Sequence, residues 1–256
     1  MYSSRSAEAD RRKRQVEVKG QHYVLREYIG AAPRRGKYVV GNEANGNEDP
    51  QGFLVYQPPN SVTPPHFHET NQFQVFVDGD GKMGKHAALP VSVHYAAGHS
   101  PYGPITAGPR GVRYFTLRQR WDPGAKYMPE MRDRLQSGNQ RIRLGRDIAL
   151  TTTDLPGVLP ETLDIFARED DGLYATLTRL PADQQVRLTD PSDGGGQYVV
   201  VVNGGVVVDG EDFEIWSCLY VRPEDSPLHI GANSLGAEVL CLQFPRETVV
   251  PSPKTN

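Results

Sequence analysis

The sequence predicts an all-β chain built as two small barrels in tandem. Three observations carry this expectation. Short runs rich in Val, Ile, Tyr, Phe and Thr recur from end to end, Gly-containing turn signals separate them, and parts of the second half repeat the first at an offset of 125 residues. At 256 residues the chain is long enough for two such units. A chain of that size buries roughly three quarters of its unfolded surface.

In the first half, strands are expected at 22–29, 53–57, 73–77, 91–95 and 112–118. In the second they are expected at 173–179, 185–189, 198–202, 213–221 and 237–244. Asn45-Gly46, Asp78-Gly79-Asp80-Gly81, Gly194-Gly195-Gly196, Asn203-Gly204-Gly205 and Asp209-Gly210 supply the positive-φ positions that tight hairpins need. Asp78-Gly79-Asp80-Gly81 also resembles part of a calcium loop, but without the downstream Glu it reads as a turn. Helix signals are few: 129–136, opened by Pro129 and followed by Ser137-Gly138, and 160–167. The repeat is visible in 72–79 (QFQVFVDG) against 197–204 (QYVVVVNG), and in 111–117 (GVRYFTL) against 236–242 (GAEVLCL). A basic, Gly-interrupted joint at 136–146 then divides the chain. It leaves a flexible basic arm at 1–20, an N-terminal barrel at 21–146 and a C-terminal barrel at 147–250.

Charge narrows the function classes. Lys and Arg number 28 against 31 Asp and Glu, a formal net charge of -3, so nothing draws the chain as a whole to nucleic acid or anionic lipid. The arm alone holds six basic and three acidic groups, and reads as a solvated, frayed terminus. No apolar run reaches the roughly 18 residues of a membrane span; the longest, 198–208, is broken by Asn203-Gly204-Gly205. With no apolar leader at its start, the protein is expected in the cytoplasm. Cys218 and Cys241 lie in apolar runs outside any C-x-x-C pair, so both are expected as buried free thiols. G-x-S-x-G elbows, P-loops and helix-opening G-x-G-x-x-G motifs are absent. Exposed sheet edges, with the strand at 22–29, predict a homodimer.

Chemistry concentrates in Pro64-Pro65-His66-Phe67-His68-Glu69-Thr70-Asn71-Gln72. Side chains two apart on a strand share a face, so His66 and His68 are expected to project into one space. An imidazole pair with a third donor suits a divalent transition metal. By the same parity Gln72, Gln74 and Phe76 form a mixed polar and aromatic lining for a small molecule. Farther on, Arg113 shares a face with Phe115 and Leu117, opposite Arg118 and Arg120. Should the Phe115 face point inward, Arg113 can bind a substrate carboxylate. Arg118 and Arg120 then read as surface charge.

The segment resembles the first motif of the cupin superfamily, with His66, His68 and Gly79 in register and Gln72 where the family carries Glu. The second motif, P-x-G-x-x-H, is matched loosely by residues 96–104: Ala96 replaces Pro, and Pro101, followed by Tyr102, holds the place of the metal-binding His. Resemblance covers most of 45–120 and, more faintly, 170–245, and implies two tandem jelly-roll barrels with few short helices. It also implies iron, manganese, nickel or zinc held by three His and one Glu. Here His66 and His68 stand ready, Gln72 offers a carbonyl oxygen, and His94 or His99 can supply a third imidazole. Tyr102 is expected to line the cavity as a hydrogen-bond donor or acid/base group. In the second repeat Pro191 and Asp193 replace the two histidines and His229 stands alone, which marks a structural barrel without metal. Two functions follow. One is a metal-dependent dioxygenase, isomerase or lyase acting on a small molecule in the N-terminal barrel. The other is a metal-free cupin that binds a small ligand, or moves a proton with His66, His68 and Tyr102.

Overall fold

β-branched and aromatic residues favour pleated, half-buried surfaces, and nearly all the expected runs form strands. A computed structural model describes residues 1–40, 49–137 and 140–246; the Asn45-Gly46 turn lies outside them. One sheet runs Ile142–Gly145, Ser92–Ala96, Gln72–Met83, Ile105–Arg118, Gln51–Gln57, Gln21–Ile29, Lys13–Val18. The other runs Tyr2–Ser4, Cys218–Val221, Gln197–Val208, His229–Gln243, Tyr174–Leu180, Glu161–Phe166. Neighbours pair antiparallel throughout. The two orders correspond strand for strand at their centres, as the repeat demands.

Glycines mark the correspondence most sharply. Asp78-Gly79-Asp80-Gly81 and Asn203-Gly204-Gly205, expected as hairpin turns, instead lie inside the long strands Gln72–Met83 and Gln197–Val208. Gly79 and Gly111, at φ 82° and 72°, meet across two strands, and a Cβ on Gly79 would lie 2.1 Å from the Gly111 carbonyl oxygen. Gly204 and Gly236, at 65° and 74°, repeat this with 2.0 Å. Register shifts beside each pair bend the sheet, the usual way a flat ladder is curled into a barrel. Asp209-Gly210 is a hairpin turn as expected, joining Gln197–Val208 to Glu211–Glu214.

Other expectations are corrected. Residues 160–167 are not a helix: Glu161–Phe166 is a strand paired with Tyr174–Leu180. The β-branched Thr162 and Ile165 and the aromatic Phe166 outweigh the opening Pro160 as a helix signal. The helix at 129–136 shrinks to a 3₁₀ turn, Arg132–Arg134, and 213–221 divides into Glu211–Glu214 and Cys218–Val221. The arm at 1–20 is not frayed. Tyr2–Ser4 adds to Cys218–Val221 in the second sheet, Ser6–Arg11 is helical, and Lys13–Val18 pairs with Gln21–Ile29. Several of its charges form ion pairs, among them Arg5 with Glu211 at 2.8 Å and Arg14 with Glu27 at 3.0 Å. That pairing covers 22–29 on both sides, so this strand is not the free edge expected of it.

Three apolar cores result. One fills the first barrel, with Val55, Phe76 and Tyr114; another fills the second, with Val199, Val206 and Val239. The third lies between the sheets and takes Phe73, Val75, Phe115 and Leu117 from the first and Tyr198, Val200, Leu240 and Leu242 from the second. The central strands are therefore buried on both faces. Both cysteines are buried and free, as expected.

Candidate functional site

Backbone pairing brings the site together. The short strand His66–Phe67 exchanges two hydrogen bonds with Tyr102, His66 N–H to Tyr102 O and Tyr102 N–H to His66 O, each 3.0 Å. On its other side Tyr127 stands opposite His66 and Lys126 opposite Phe67. Two-residue spacing does send both imidazoles the same way. The His66 and His68 ring centres are 5.3 Å apart, and both rings line a cavity of about 80 Å³ inside the first barrel.

Each imidazole is held by its Nδ1. His66 Nδ1 lies 2.7 Å from the Pro64 carbonyl, His68 Nδ1 2.7 Å from Asp122 Oδ1, and His94 Nδ1 3.0 Å from Gln74 Oε1. An acceptor at Nδ1 places the proton there and leaves the lone pair on Nε2. Burial, with the neighbouring His68, pushes His66 down to about 3. Burial and the Arg118 charge push His68 down to about 4, and burial alone takes His94 to about 3. All three rings are neutral near pH 7. Burial by itself would raise the Asp122 carboxyl, but His68 and Arg118 pull it below the ordinary carboxylate range. Its oxygens accept from His68 Nδ1, from Gly124 N–H at 2.9 Å and from Glu69 N–H at 2.9 Å. Tyr102 is raised above its usual value by burial and keeps its proton.

Arg118 overturns the parity reading of its strand. It is 1% exposed and, with Thr116 and Tyr114, lines the cavity, while Phe115 and Leu117 pack between the sheets. Nε and Nη2 of Arg118 donate to Gln72 Oε1 at 3.2 and 3.0 Å, and Nη1 donates to Gln51 Oε1. Nη2 also lies 3.1 Å from both ring nitrogens of His68. Equal distance to two nitrogens puts it over the ring instead of in line with either lone pair. Arg113, on the Phe115 face, pairs with Asp78 at 2.9 Å and lies over Tyr56 and Trp216, away from the cavity. Arg120 is exposed.

Of the residues expected in the site, His66, His68, Gln74 and Tyr102 line the cavity. Gln72 does not; its Nε2 donates to the Tyr102 hydroxyl and its Oε1 is taken by Arg118. Nor does Phe76, which packs on Tyr114. His94 lies behind Gln74, 5.0 Å from the Tyr102 ring. His99, partly exposed, donates its backbone N–H to His68 O at 2.7 Å and packs on Phe67, outside the cavity. Sequence reasoning missed Arg118, Asp122, Lys126 and Tyr127. Lys126 is fully buried, 3.0 Å from Glu69 and over the Tyr38 ring. In the second barrel, Pro191 and Asp193 sit in a 3₁₀ turn and Gln197 bonds Thr189 and Cys241.

The donors present do not fit the metal that the motif implies. A divalent site needs three or four N or O ligands at about 2.0–2.2 Å. Among the described residues no group of three His, Cys, Asp or Glu is placed to hold one. Gln72 Oε1 is occupied by the Arg118 guanidinium, and neither His94 nor His99 lines the cavity. A dication about 4 Å from that guanidinium meets a repulsion of about 8 kcal/mol at an effective dielectric near 20.

No protein-family profile matches the chain, and no curated protein does. Solved structures do. A candidate dioxygenase from Nostoc punctiforme aligns over 93% of this chain and 81% of its own at TM-score 0.61 and 11% identity. Escherichia coli pirin, in complex with nickel(II), aligns over 96% and 99% at 0.55 and 12%. Bacillus subtilis oxalate decarboxylase, a protein with Mn(II) centres, aligns over 97% and 78% at 0.55 and 11%. Such likeness across nearly the whole chain, with the duplicated sheets and the paired glycines, establishes the architecture. By fold the chain is a two-barrel cupin.

Proposed function

We propose that the N-terminal barrel binds a small oxygenated organic molecule without a metal and moves a proton on it. The cavity supports this reading with both halves of the chemistry. Neutral His66 and His68 present Nε2 lone pairs, and Arg118 and Tyr102 present donors for a carbonyl or enolate oxygen. Asp122, fixed by two backbone N–H groups, orients His68 as a buried carboxylate orients a general base. An α-proton of the ligand would pass to His68 Nε2 while Arg118 stabilises the oxygen that gains charge. The observation that carries the proposal is the Arg118 guanidinium between Gln72 and His68, a fixed positive charge where a metal would draw its ligands.

The test is elemental analysis of full-length protein purified without chelator or a nickel column, beside His66→Ala. Less than about a tenth of an equivalent of any transition metal is expected. Near-stoichiometric metal that disappears in the variant would restore the metal-dependent dioxygenase, isomerase or lyase. We place the division between barrels at 146/147, after the last strand of the first sheet. Cytoplasmic residence fits the two unpaired thiols. A homodimer remains our proposal through the sheet edge Glu161–Phe166, where Leu163 is exposed; light scattering showing a monomer at micromolar concentration would reject it.

A further inference from the structure

We propose that the ligand of this cavity is a small carboxylate, a monoanion bound through Arg118; the inference deepens the metal-free reading and rests on it. Arginine is almost never fully buried without an anionic partner, yet Arg118 is 1% exposed and forms no ion pair among the described residues. Its five N–H groups can be followed one by one. Two go to Gln72 Oε1, one to Gln51 Oε1, and one points at the face of the neutral His68 ring. The fifth, on Nη1, has no acceptor among the described residues. Every group in contact with the guanidinium is neutral: two amides, the His68 imidazole and, 5.6 Å away, the Phe53 ring.

The cavity wall points the same way. No acid lines it; its charged groups are Arg35, exposed at the mouth, and Arg118 on the floor. Asp122, the acid whose field reaches Arg118, has its oxygens filled by His68, Glu69 N–H and Gly124 N–H. A carboxylate entering past Arg35 would take the free Nη1–H and displace the weak contact of Nη2–H with the His68 face, forming a charge-assisted fork. A cavity of about 80 Å³ holds on the order of six water-sized positions. That is room for acetate or lactate beside the Val55 and Phe53 wall.

The test is isothermal titration of the full-length protein at pH 7 with acetate and lactate, each beside its neutral isostere, acetamide and lactamide. At least one carboxylate should bind saturably, with its amide weaker by about tenfold or more. Arg118→Gln should lose that binding by a similar factor and Arg118→Lys should keep part of it. The wild-type comparison of acid with amide decides the matter even if neither variant folds. Equal binding of an amide and its acid, or no binding of either acid, overturns the inference. Saturable amide binding would still leave the small-molecule reading standing, whereas bound metal in the elemental analysis would remove the reading beneath it.

Discussion

Acid should unfold this protein through three histidines before its carboxylates are involved. His66, His68 and His94 are fully enclosed and held neutral, with values near 3, 4 and 3, whereas an unfolded imidazole titrates near about 6.5. Their folded values are depressed, so the stability they contribute is complete above about pH 6.5 and drains away as pH falls toward 4 and below. Between pH 6 and pH 5 each unfolded imidazole carries on average about 0.9 of a proton and its folded counterpart almost none. Three such groups make about 2.6 protons. At about 1.36 kcal/mol per proton per pH unit, the protein should lose about 3.5 kcal/mol across that one unit. Asp122 adds nothing in this window, because it is ionised in both states. Urea unfolding at pH 7, 6, 5.5 and 5, followed by tryptophan fluorescence from Trp121 and Trp216, gives the free energies by linear extrapolation. A loss below about 1.4 kcal/mol between pH 6 and 5, one proton's worth, would mean that at least two of the three rings are solvated in the folded protein. The enclosed cavity would then be wrong.

Three further outcomes follow from named contacts. Asp122→Asn replaces a charged acceptor with an amide between His68 and two backbone N–H groups; it should cost about 3 kcal/mol of unfolding free energy, and a loss below about 1 kcal/mol would show that Asp122 does not hold the site. Gly79→Ala and Gly204→Ala each drive a Cβ to about 2 Å from a carbonyl oxygen at a positive φ. Both should destabilise by about 3 kcal/mol or more, and a neutral effect at either would break the correspondence between the barrels. Deleting residues 2–5 removes the strand on Cys218–Val221 and the Arg5–Glu211 pair. It should lower Tm by about 5 °C, given about 2–4 °C per kcal/mol for a chain of this size; an unchanged Tm would return the arm to the frayed state its charge suggested.

How much of this was legible beforehand differs between fold and site for a physical reason. Strand runs and the 125-residue offset were visible because β-branched alternation and glycine spacing are local signals. So was the convergence of His66 and His68, which needs only the period of two. Arg118 was not, because alternation reports which face is apolar, and here both faces of its strand are buried. Phe115 and Leu117 look like the inside of a barrel but pack against the second sheet, so Arg118 on the opposite face reads as surface charge although it lines the cavity. Asp122 carried no signal at all: it reaches His68 from 54 residues away, in a segment with no motif. Glu161–Phe166 reads as a short helix in the sequence because an edge strand with an exposed face lacks the apolar stripe that distinguishes the two.

The duplicated barrels also explain why only one of them keeps a polar interior. Gln72 and Gln197 occupy equivalent places, and 125 residues beyond Arg118 stands Gln243, which pairs across the sheet with Gln197. In the first barrel the amide at 72 is turned toward a guanidinium, and a charge so deep demands a surrounding shell of Gln51, His68 and water or ligand to remain tolerable. In the second, the neutral Gln243 donates to the Pro191 carbonyl and Gln197 turns to Thr189 and Cys241, so the place of the arginine holds no charge, although Gln243 Oε1 is buried without a partner. Val199, Val201, Val206, Leu219 and Val239 can then close over the interior without leaving a charge stranded. One arginine thus separates a barrel whose interior holds a buried charge from one filled with hydrocarbon, and this is the ground on which we assign the proposed chemistry to the side where Arg118 lies.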